Sequence, residues 1–257
     1  MSRNGARSAD PADWIHVPAP RPWAELRLVC FPYAGGRGEI FADWSLGLPH
    51  GCEVAAVAYP GRGARLDDPP VTSAGELAAA AAEAVRRGVE EPFAFFGHSM
   101  GALIAFETAR ELRRTGGPLP TLLAVAGQGG PQLPVEGEPV HALPDDELLA
   151  TLREMGGTPD EVLASEPLMN AVLPALRGDF EVCETYRYAD EEPLPCPILA
   201  LAATRDSEAA VEDVERWREQ TSADFRLRTF GGGHFFLETA QPALLQCLAE
   251  ELGSPPG

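Results

Sequence analysis

A Gly-x-Ser-x-Gly pentapeptide at residues 97–101 constrains the fold of this chain more than any other feature. It follows a short apolar run at residues 93–96 and precedes a helical pattern that begins at residue 102. A serine between two glycines on a strand-to-helix turn is typical of a nucleophile elbow, whose strained backbone displays the hydroxyl at the mouth of a sheet. We therefore predict that Ser99 is a nucleophile. The alternative is an ordinary turn rich in glycine and serine.

Short apolar runs alternate with helical patterns on both sides of this pentapeptide. Ser73 and Glu76 form a capping-box pattern ahead of an alanine-rich helix that is predicted to end near Arg87. Strands are predicted at residues 27–31, 54–59, 93–96, 122–126, 198–203 and 225–230. Apolar strands separated by helices indicate an α/β fold with a mostly parallel central sheet, buried on both faces and flanked by helices.

The strand pattern is interrupted between residues 131 and 195, where three helices are predicted instead. The last of them carries an apolar stripe formed by Leu168, Val172, Leu176, Phe180 and Cys183. We predict that residues 131–195 form a helical lid, inserted into a hydrolase core of residues 18–130 and 196–252. The alternative is a peripheral helical decoration. Residues 1–17 are predicted to be a disordered N-terminal segment, and residues 253–257 a C-terminal tail.

Composition and charge exclude several classes of function. The 257 residues carry a net charge of −19, which argues against nucleic acids and anionic membrane surfaces as partners. Every basic residue is arginine, so no lysine is available as a catalytic base. No apolar run approaches the roughly 18 residues of a membrane span, and the N-terminus lacks an apolar signal core, so a cytoplasmic protein is expected. The five histidines are scattered without metal-ligand spacing, and no metal is expected.

A serine hydroxyl needs a base within hydrogen-bond reach, and the base needs an acid that orients it. His234 follows the last predicted strand in a loop with three glycines, and we predict that it is the base. The acid is predicted to be Asp206, directly after the penultimate strand, with Glu208 as the alternative. Asp179 and Asp190, in or near the inserted segment, fit this role less well. The chain order serine, aspartate, histidine is that of the α/β-hydrolases.

Two backbone N–H groups are also required to stabilise the negative oxygen of a tetrahedral intermediate. Met100, the residue after the nucleophile, is predicted to supply one of them. The second is predicted to come from the loop after the first of the six predicted strands. In that loop Ala34 is the expected donor, and Tyr33 is the alternative.

Segments along nearly the whole chain resemble those of the type II thioesterases of polyketide and nonribosomal peptide assembly lines. The similar segments include Phe-Pro-Tyr-Ala-Gly-Gly at residues 31–36, Tyr-Pro-Gly-Arg-Gly at 59–63, the pentapeptide at 97–101, and residues 143–149, 156–159, 173–180 and 232–236. The resemblance extends from about residue 18 to residue 252. Two stretches depart from the family pattern: residues 127–131, and residues 204–206, which lack a glycine before the acid.

The resemblance implies an editing thioesterase that hydrolyses acyl groups from the phosphopantetheine arm of acyl or peptidyl carrier proteins, through an acyl-Ser99 intermediate. Because the substrate carries the phosphopantetheine, no cofactor is expected, and a monomer is sufficient. Carrier proteins are usually acidic, as is this chain, so docking would require a local basic patch. Five arginines are candidates for such a patch: Arg62, Arg65, Arg153, Arg177 and Arg187. The alternative for each of them is a solvated side chain without a role in docking.

Other functions are compatible with the same catalytic residues. A small-molecule carboxylesterase or lipase would share the serine, histidine and aspartate, and so would an acyltransferase in which an alcohol or amine replaces water. A catalytically inactive binding module with the hydrolase fold is a third alternative, which intact Ser99, Asp206 and His234 disfavour.

Overall fold

The computed structural model of the chain describes residues 11–135, 137–157 and 160–253. Within these residues the strands are β1 Ile15–His16, β2 Leu26–Phe31, β3 Cys52–Val57, β4 Phe93–His98, β5 Leu123–Ala126, β6 Ile198–Ala203 and β7 Phe225–Phe230. They form one sheet in the order β1-β3-β2-β4-β5-β6-β7. The short strand β1 is antiparallel to β3, and all other neighbours are parallel.

Helices follow most of the strands and lie on both faces of the sheet. Among the described residues they are α1 Ala74–Gly88, α2 Met100–Arg114, α3 Asp145–Met155, α4 Asp160–Leu163, α5 Glu166–Thr185, α6 Val211–Glu215, α7 Phe236–Thr239 and α8 Gln241–Leu252. Ser73 caps α1, since its hydroxyl accepts the N–H of Glu76 at 3.4 Å, as the sequence predicts. In this part of the chain no helix is both long and apolar enough to cross a membrane.

The predicted α/β fold is confirmed, and its connections are those of an α/β-hydrolase. Helices α1 and α2 pack on one face of the sheet, where Phe95 and Ile104 belong to one hydrophobic cluster. Helix α8 covers the other face, where Phe96 and Leu244 belong to a second cluster. The central strands are therefore buried on both faces, whereas the edge strand β7 is only partly buried.

The prediction of a disordered segment at residues 1–17 is wrong from residue 11 onwards. Trp14 is only 6% exposed, and the guanidinium of Arg65 lies 4.5 Å from the centre of its indole ring. Ile15 then pairs with strand β3. Burying a large aromatic side chain supplies enough free energy to order a short flanking segment that lacks any sequence periodicity. Residues 1–10, like residues 254–257 of the predicted tail, lie outside the described residues.

The segment between β5 and β6 contains α3, α4 and α5, which we call the inserted helices. They enclose a small hydrophobic cluster of their own, formed by Leu148, Leu152, Leu163, Met169, Leu173 and Leu176. The predicted stripe on the third helix is wrong at its start: Leu168 is 50% exposed, and Met169 is buried instead. The start of α5 packs against α3 and α4 through Met169, Leu173 and Leu176. Their spacing is as typical of one helix face as that of the predicted stripe.

A network of ion pairs ties the chain that leaves α5 to helix α2. Arg110 is 1% exposed, and its two terminal nitrogens each lie 2.9 Å from a carboxylate oxygen, one of Glu107 and one of Glu191. Glu107 also accepts a hydrogen bond of 2.8 Å from the hydroxyl of Tyr186. A buried arginine is tolerated only when it is paired in this way, so the network fixes where the inserted helices rejoin the core.

This network predicts a pH-dependent contribution of Glu191 to stability. Burial raises the pKa of Glu191, but hydrogen bonds from Arg114 and Arg113 and the charge of Arg110 outweigh it and lower the pKa from 4.5 to about 2. The stabilisation is therefore complete above pH 4.5 and is lost as the pH falls towards 2. In urea denaturation, Glu191→Gln should lower the free energy of unfolding at pH 7, and its difference from wild type should shrink at pH 3.

The exposed neighbour Glu192 offers a matched control, because only its backbone carbonyl contributes to these contacts. Glu192→Gln should leave the free energy of unfolding close to that of wild type at both pH values. A Glu191→Gln difference that stays constant between pH 7 and pH 3 would contradict the lowered pKa.

Candidate active site

Ser99 lies on the sharp turn between β4 and α2, with φ 53° and ψ −123°. Among the described residues it is the one non-glycine residue with a positive φ. Its N–H donates to the carbonyl of Ala126 at 2.8 Å, which anchors the turn to strand β5. A strained backbone persists only where its surroundings hold it, and it is common at functional sites. The predicted nucleophile is therefore half-buried in a strained turn at the carboxyl edge of the sheet.

The two glycines that flank Ser99 are required by the close approach of backbone segments. A Cβ atom on Gly97 would lie 2.2 Å from the carbonyl oxygen of Gly101. A Cβ atom on Gly101 would lie 2.0 Å from the carbonyl oxygen of Phe31, at the end of β2. Any side chain at either position would separate the first turn of α2 from β2 and β4. The sequence pattern Gly-x-Ser-x-Gly thus has a direct steric cause.

His234 and Asp206 are brought together from the ends of β7 and β6. The Nδ1 atom of His234 lies 3.1 and 3.0 Å from the two carboxylate oxygens of Asp206, whose side chain is fully buried. The same carboxylate accepts the N–H groups of Glu208 at 2.9 Å and Ala209 at 3.2 Å, which fix its orientation. Because an ionised carboxylate can only accept, Nδ1 carries the hydrogen and Nε2 is left free to act as a base.

The alternative acids lie elsewhere. The side chain of Glu208 is exposed and accepts a hydrogen bond from Ser207. Asp179 is buried on α5 and paired with Arg62. Asp190 is exposed after α5. In the part of the chain that the structure describes, none of these three side chains contacts His234, so Asp206 is the one candidate acid that meets the geometric requirement.

Residues 33–36 form a tight turn after β2, which we call the oxyanion turn. The N–H of Gly36 donates to the carbonyl of Tyr33 at 2.8 Å, and Gly35 has φ +75°, a conformation that glycine adopts without steric cost. The contact between Gly101 and β2 holds this turn beside the start of α2. Within the described residues we find no acceptor for the N–H groups of Ala34 and Met100, the two predicted oxyanion donors.

His98 is a site residue whose role sequence reasoning missed. Its ring is fully buried, lies 5.0 Å from the ring of His234 between centroids, and has no hydrogen-bond partner for either nitrogen within the described residues. Burial, followed by the charge of His234, lowers the pKa of His98 well below 6.5, although the nearby backbone of His234 acts in the opposite direction. His98 is therefore neutral, and its ring packs against the ring of His234.

The departure from the family pattern at residue 127 has a packing explanation here. A Cβ atom on Gly127 would lie 2.7 Å from the Cε1 atom of His98. A larger residue at position 127 would displace the ring of His98, which packs against the ring of His234. The signal was present in the sequence, but it could be interpreted only once the two residues were seen to touch.

The hydroxyl of Ser99 and the ring of His234 are not joined by a hydrogen bond within the described residues. Contacts between nucleophile and base are often longer before substrate binds. In the same part of the chain, no three histidine, cysteine, aspartate or glutamate side chains are grouped closely enough to hold a metal ion. The chemistry available at this edge of the sheet is therefore that of a serine, an imidazole, a carboxylate and backbone N–H groups.

Two of the five arginines that the sequence suggested for a docking patch are internal, and those predictions are wrong. The side chain of Arg62 is 9% exposed and forms an ion pair with Asp179. Arg65 is 8% exposed and stacks on Trp14. Both alternatives for these residues, a docking patch and a solvated side chain, require exposure, but Arg62 neutralises the buried Asp179 and Arg65 covers the buried Trp14.

The other three candidate arginines lie on or next to the inserted helices. Arg177 donates to the carbonyl of His141 at 2.7 Å and pairs with Asp145, so it links α5 to the start of α3. Arg153 and Arg187 have exposed side chains. These two remain the candidates for a basic patch.

Geometry of this kind defines a class, the serine hydrolases with an α/β-hydrolase fold. Within that class, the chain belongs to the thioesterase family, because the family model described as "Thioesterase domain" matches residues 26–252. The match includes the elbow, the oxyanion turn, the inserted helices and residues 231–236, which we call the histidine loop.

Curated relatives and a solved structure agree with this assignment. The chain is 39% identical over 229 residues to the gramicidin S biosynthesis protein GrsT of Aneurinibacillus migulanus, covering 89% of this chain and 90% of that protein. It is 41% identical over 231 residues to thioesterase PikA5 of Streptomyces venezuelae, covering 90% and 82%. The type II thioesterase BorB from the borrelidin biosynthetic cluster has a TM-score of 0.85 at 40% identity, covering 93% of this chain and 97% of that chain.

The contact between Asp206 and His234 predicts a specific loss on replacement of the acid by its amide. In Asp206→Asn the side-chain NH₂ can donate to Nδ1, so that Nε2 holds the hydrogen and cannot accept one from Ser99. We expect kcat to fall by about 10⁴-fold, the order known for the same change in serine proteases. Turnover of an acyl thioester per folded protein measures this effect.

Glu208→Gln is the matched control, since it alters a neighbouring carboxylate but leaves the backbone N–H that Asp206 accepts. Its turnover should remain close to that of wild type. If Glu208→Gln were the damaging change and Asp206→Asn were not, the assignment of the acid would be wrong.

Proposed function

We propose that this chain is an editing, type II thioesterase that hydrolyses acyl groups from the phosphopantetheine arm of carrier proteins in polyketide or nonribosomal peptide synthesis. The observation that carries the proposal is the Ser99 elbow with the Asp206–His234 pair, in a chain that matches the thioesterase family over residues 26–252. The resemblance to BorB, named as a type II thioesterase, supports the editing role.

In the first half of the reaction, Nε2 of His234 accepts the hydroxyl proton of Ser99 as the serine oxygen attacks the thioester carbonyl. The negative oxygen of the tetrahedral intermediate accepts hydrogen bonds from the N–H groups of Met100 and Ala34. Each such donor contributes about 2.7–4 kcal/mol to transition-state stabilisation. The thiol of the phosphopantetheine arm then leaves, taking its proton from the imidazolium of His234.

In the second half, water enters and attacks the acyl-Ser99 ester. His234 accepts a proton from this water and returns it to the Ser99 oxygen, which releases the carboxylic acid and restores the enzyme. Asp206 stays ionised throughout and stabilises the imidazolium that forms twice in each cycle. Apart from water, no group beyond the chain and its substrate takes part in these proposed steps, so the proposed enzyme needs no cofactor of its own.

The inserted helices are suited to act as a lid over this site. Helix α5 packs on the oxyanion turn, and Gly157, after α3, is so close to the ring of Phe235 that a Cβ atom there would lie 2.1 Å from it. Phe235 is adjacent to His234 in the histidine loop. Helix α5 thus contacts one side of the reacting centre and the loop after α3 contacts the other, so the inserted segment would shape the space for the acyl chain.

Acyl or peptidyl carrier proteins are the proposed partners, and the enzyme would act on them as a cytoplasmic monomer. A net charge of −19 opposes approach to an acidic carrier. The exposed guanidinium groups of Arg153 and Arg187, on and beside the inserted helices, would offset this repulsion locally. Neither nucleic acid nor membrane is a partner in this proposal.

A substrate panel tests the proposal directly. We expect faster hydrolysis of acetyl-, propionyl- and longer acyl-phosphopantetheinyl carrier proteins than of the same acyl groups on a small thiol or on p-nitrophenol. The reason is that contacts with the carrier and its arm add binding energy at the reacting centre. Preference for p-nitrophenyl esters would favour a carboxylesterase instead, and transfer of the acyl group to an added alcohol or amine would favour an acyltransferase.

Replacement of the nucleophile tests the catalytic assignment. Ser99→Ala removes the attacking oxygen, so we expect hydrolysis and labelling by a fluorophosphonate probe both to be abolished, with an unchanged thermal unfolding temperature. Wild-type protein should be labelled once per chain. Absence of labelling in wild type would favour the inactive binding module, and labelling of Ser99→Ala would contradict Ser99 as the nucleophile.

A further inference from the structure

Asp179 on helix α5 is a buried carboxylate that the mechanism above does not use. Its side chain is 1% exposed, and its two oxygens accept hydrogen bonds of 2.5 and 2.7 Å from the two terminal nitrogens of Arg62. One of these oxygens also accepts the backbone N–H of Gly35 at 2.7 Å. A bidentate pair of a guanidinium and a carboxylate is among the strongest and most directional arrangements of hydrogen bonds in proteins, and here the Gly35 N–H adds a third donor.

The N–H of Gly35 belongs to the oxyanion turn, and its bond to Asp179 fixes one of the two peptide planes that determine where the Ala34 N–H points. The peptide between Ala34 and Gly35 is held by Asp179, and the peptide between Tyr33 and Ala34 is held by the bond from Gly36 to Tyr33. The second of these peptides carries the Ala34 N–H, the proposed oxyanion donor. Rotation of either plane would turn this N–H away from the position of the developing negative charge.

Packing places α5 against the same turn. A Cβ atom on Gly35 would lie 2.5 Å from the Cδ2 atom of Leu176, one helical turn before Asp179. A Cβ atom on Gly61, next to Arg62, would lie 3.3 Å from the Cβ atom of Ala175. The helix therefore contacts both segments that its carboxylate joins.

Arg62 explains how a carboxylate can be tolerated beside a site where negative charge develops. An unpaired anion bonded to the oxyanion turn would repel the tetrahedral oxygen, because a carboxylate that is only 1% exposed is poorly screened by solvent. The guanidinium of Arg62 neutralises Asp179, and the same group approaches the carbonyl of Gly36 at 3.4 Å. The pair thus supplies an acceptor for Gly35 without adding net charge.

We propose that Asp179, with Arg62 as its counter-charge, is a positioning residue that holds the oxyanion turn in its active geometry and so makes catalysis depend on where helix α5 lies. This inference rests on the proposed function, because it assigns a role in the same reaction. When α5 is docked, Gly35 has its acceptor and the Ala34 N–H points at the reaction centre. When α5 is displaced, the turn loses that acceptor.

A matched pair of double variants separates the hydrogen bond from the charge. Both carry Arg62→Met; one adds Asp179→Asn, which keeps an oxygen acceptor for Gly35, and the other adds Asp179→Leu, which does not. Neither leaves an unpaired buried charge. Should the leucine variant fail to fold, Asp179→Ala replaces it in the same background, because the smaller side chain demands less of the surrounding packing.

The readouts are kcat and KM for propionyl-N-acetylcysteamine, each per active site titrated with a fluorophosphonate, and the affinity for a trifluoromethyl ketone that mimics the tetrahedral intermediate. We expect kcat of the leucine variant to be about 10- to 100-fold below that of the asparagine variant, the scale of a displaced catalytic group. The ketone should lose affinity in parallel, and KM should differ by less than about threefold.

A merely structural role would lower the unfolding temperature and the titrated fraction but would leave kcat per titrated site unchanged. Equal kcat and equal ketone affinity in the two variants would overturn the inference. Fluorophosphonate labelling rates make the result independent of the proposed substrate, because labelling requires Ser99 and the oxyanion N–H groups but no thioester. A slower labelling rate in the leucine variant therefore supports the inference even if carrier-bound thioesters prove not to be substrates.

Discussion

The close approach of α2 to β2 is the contact on which the rest of the site depends. At Gly101 the first turn of the helix lies so near the carbonyl of Phe31 that no side chain can be accommodated. This contact fixes the strained backbone of Ser99 above the centre of the sheet, and it brings the oxyanion turn next to the N–H of Met100. Asp206 and His234 are then supplied by the loops that follow β6 and β7, at the same edge of the sheet.

Buried charge is handled in the same way at three places in the molecule. Asp206 is surrounded by N–H donors and His234, Asp179 is paired with Arg62, and Arg110 is paired with two glutamates. Each group would cost several kcal/mol if it were left unpaired in the interior. The first pair belongs to the proposed chemistry, whereas the other two connect the inserted helices to the core. Because these buried charges must stay paired, the ion pairs of Asp179 and Arg110 hold the inserted helices in one position relative to the active site.

Local patterns in the sequence predicted most of the fold, because each depends on neighbours along the chain. The elbow, the capping box at Ser73 and the apolar strands are of this kind, and so is the order of Ser99, Asp206 and His234. The errors arose where partners come from distant segments. Strand β1 forms because the neighbouring Trp14 is buried against the core, and Arg62 is internal because it forms an ion pair with Asp179. Neither contact leaves a periodic signal in the chain.

The sequence by itself determined the class of fold and the three candidate catalytic side chains, because turn chemistry and strand patterns specify which residues stand at the carboxyl edge of a parallel sheet. Tertiary structure alone decided how those residues are supported: His98 under His234, Gly127 making room for His98, and Asp179 bonded to Gly35. The physical reason is that these contacts join residues that are between 29 and 144 positions apart in the chain. Such residues become neighbours only when the helices and the sheet pack together.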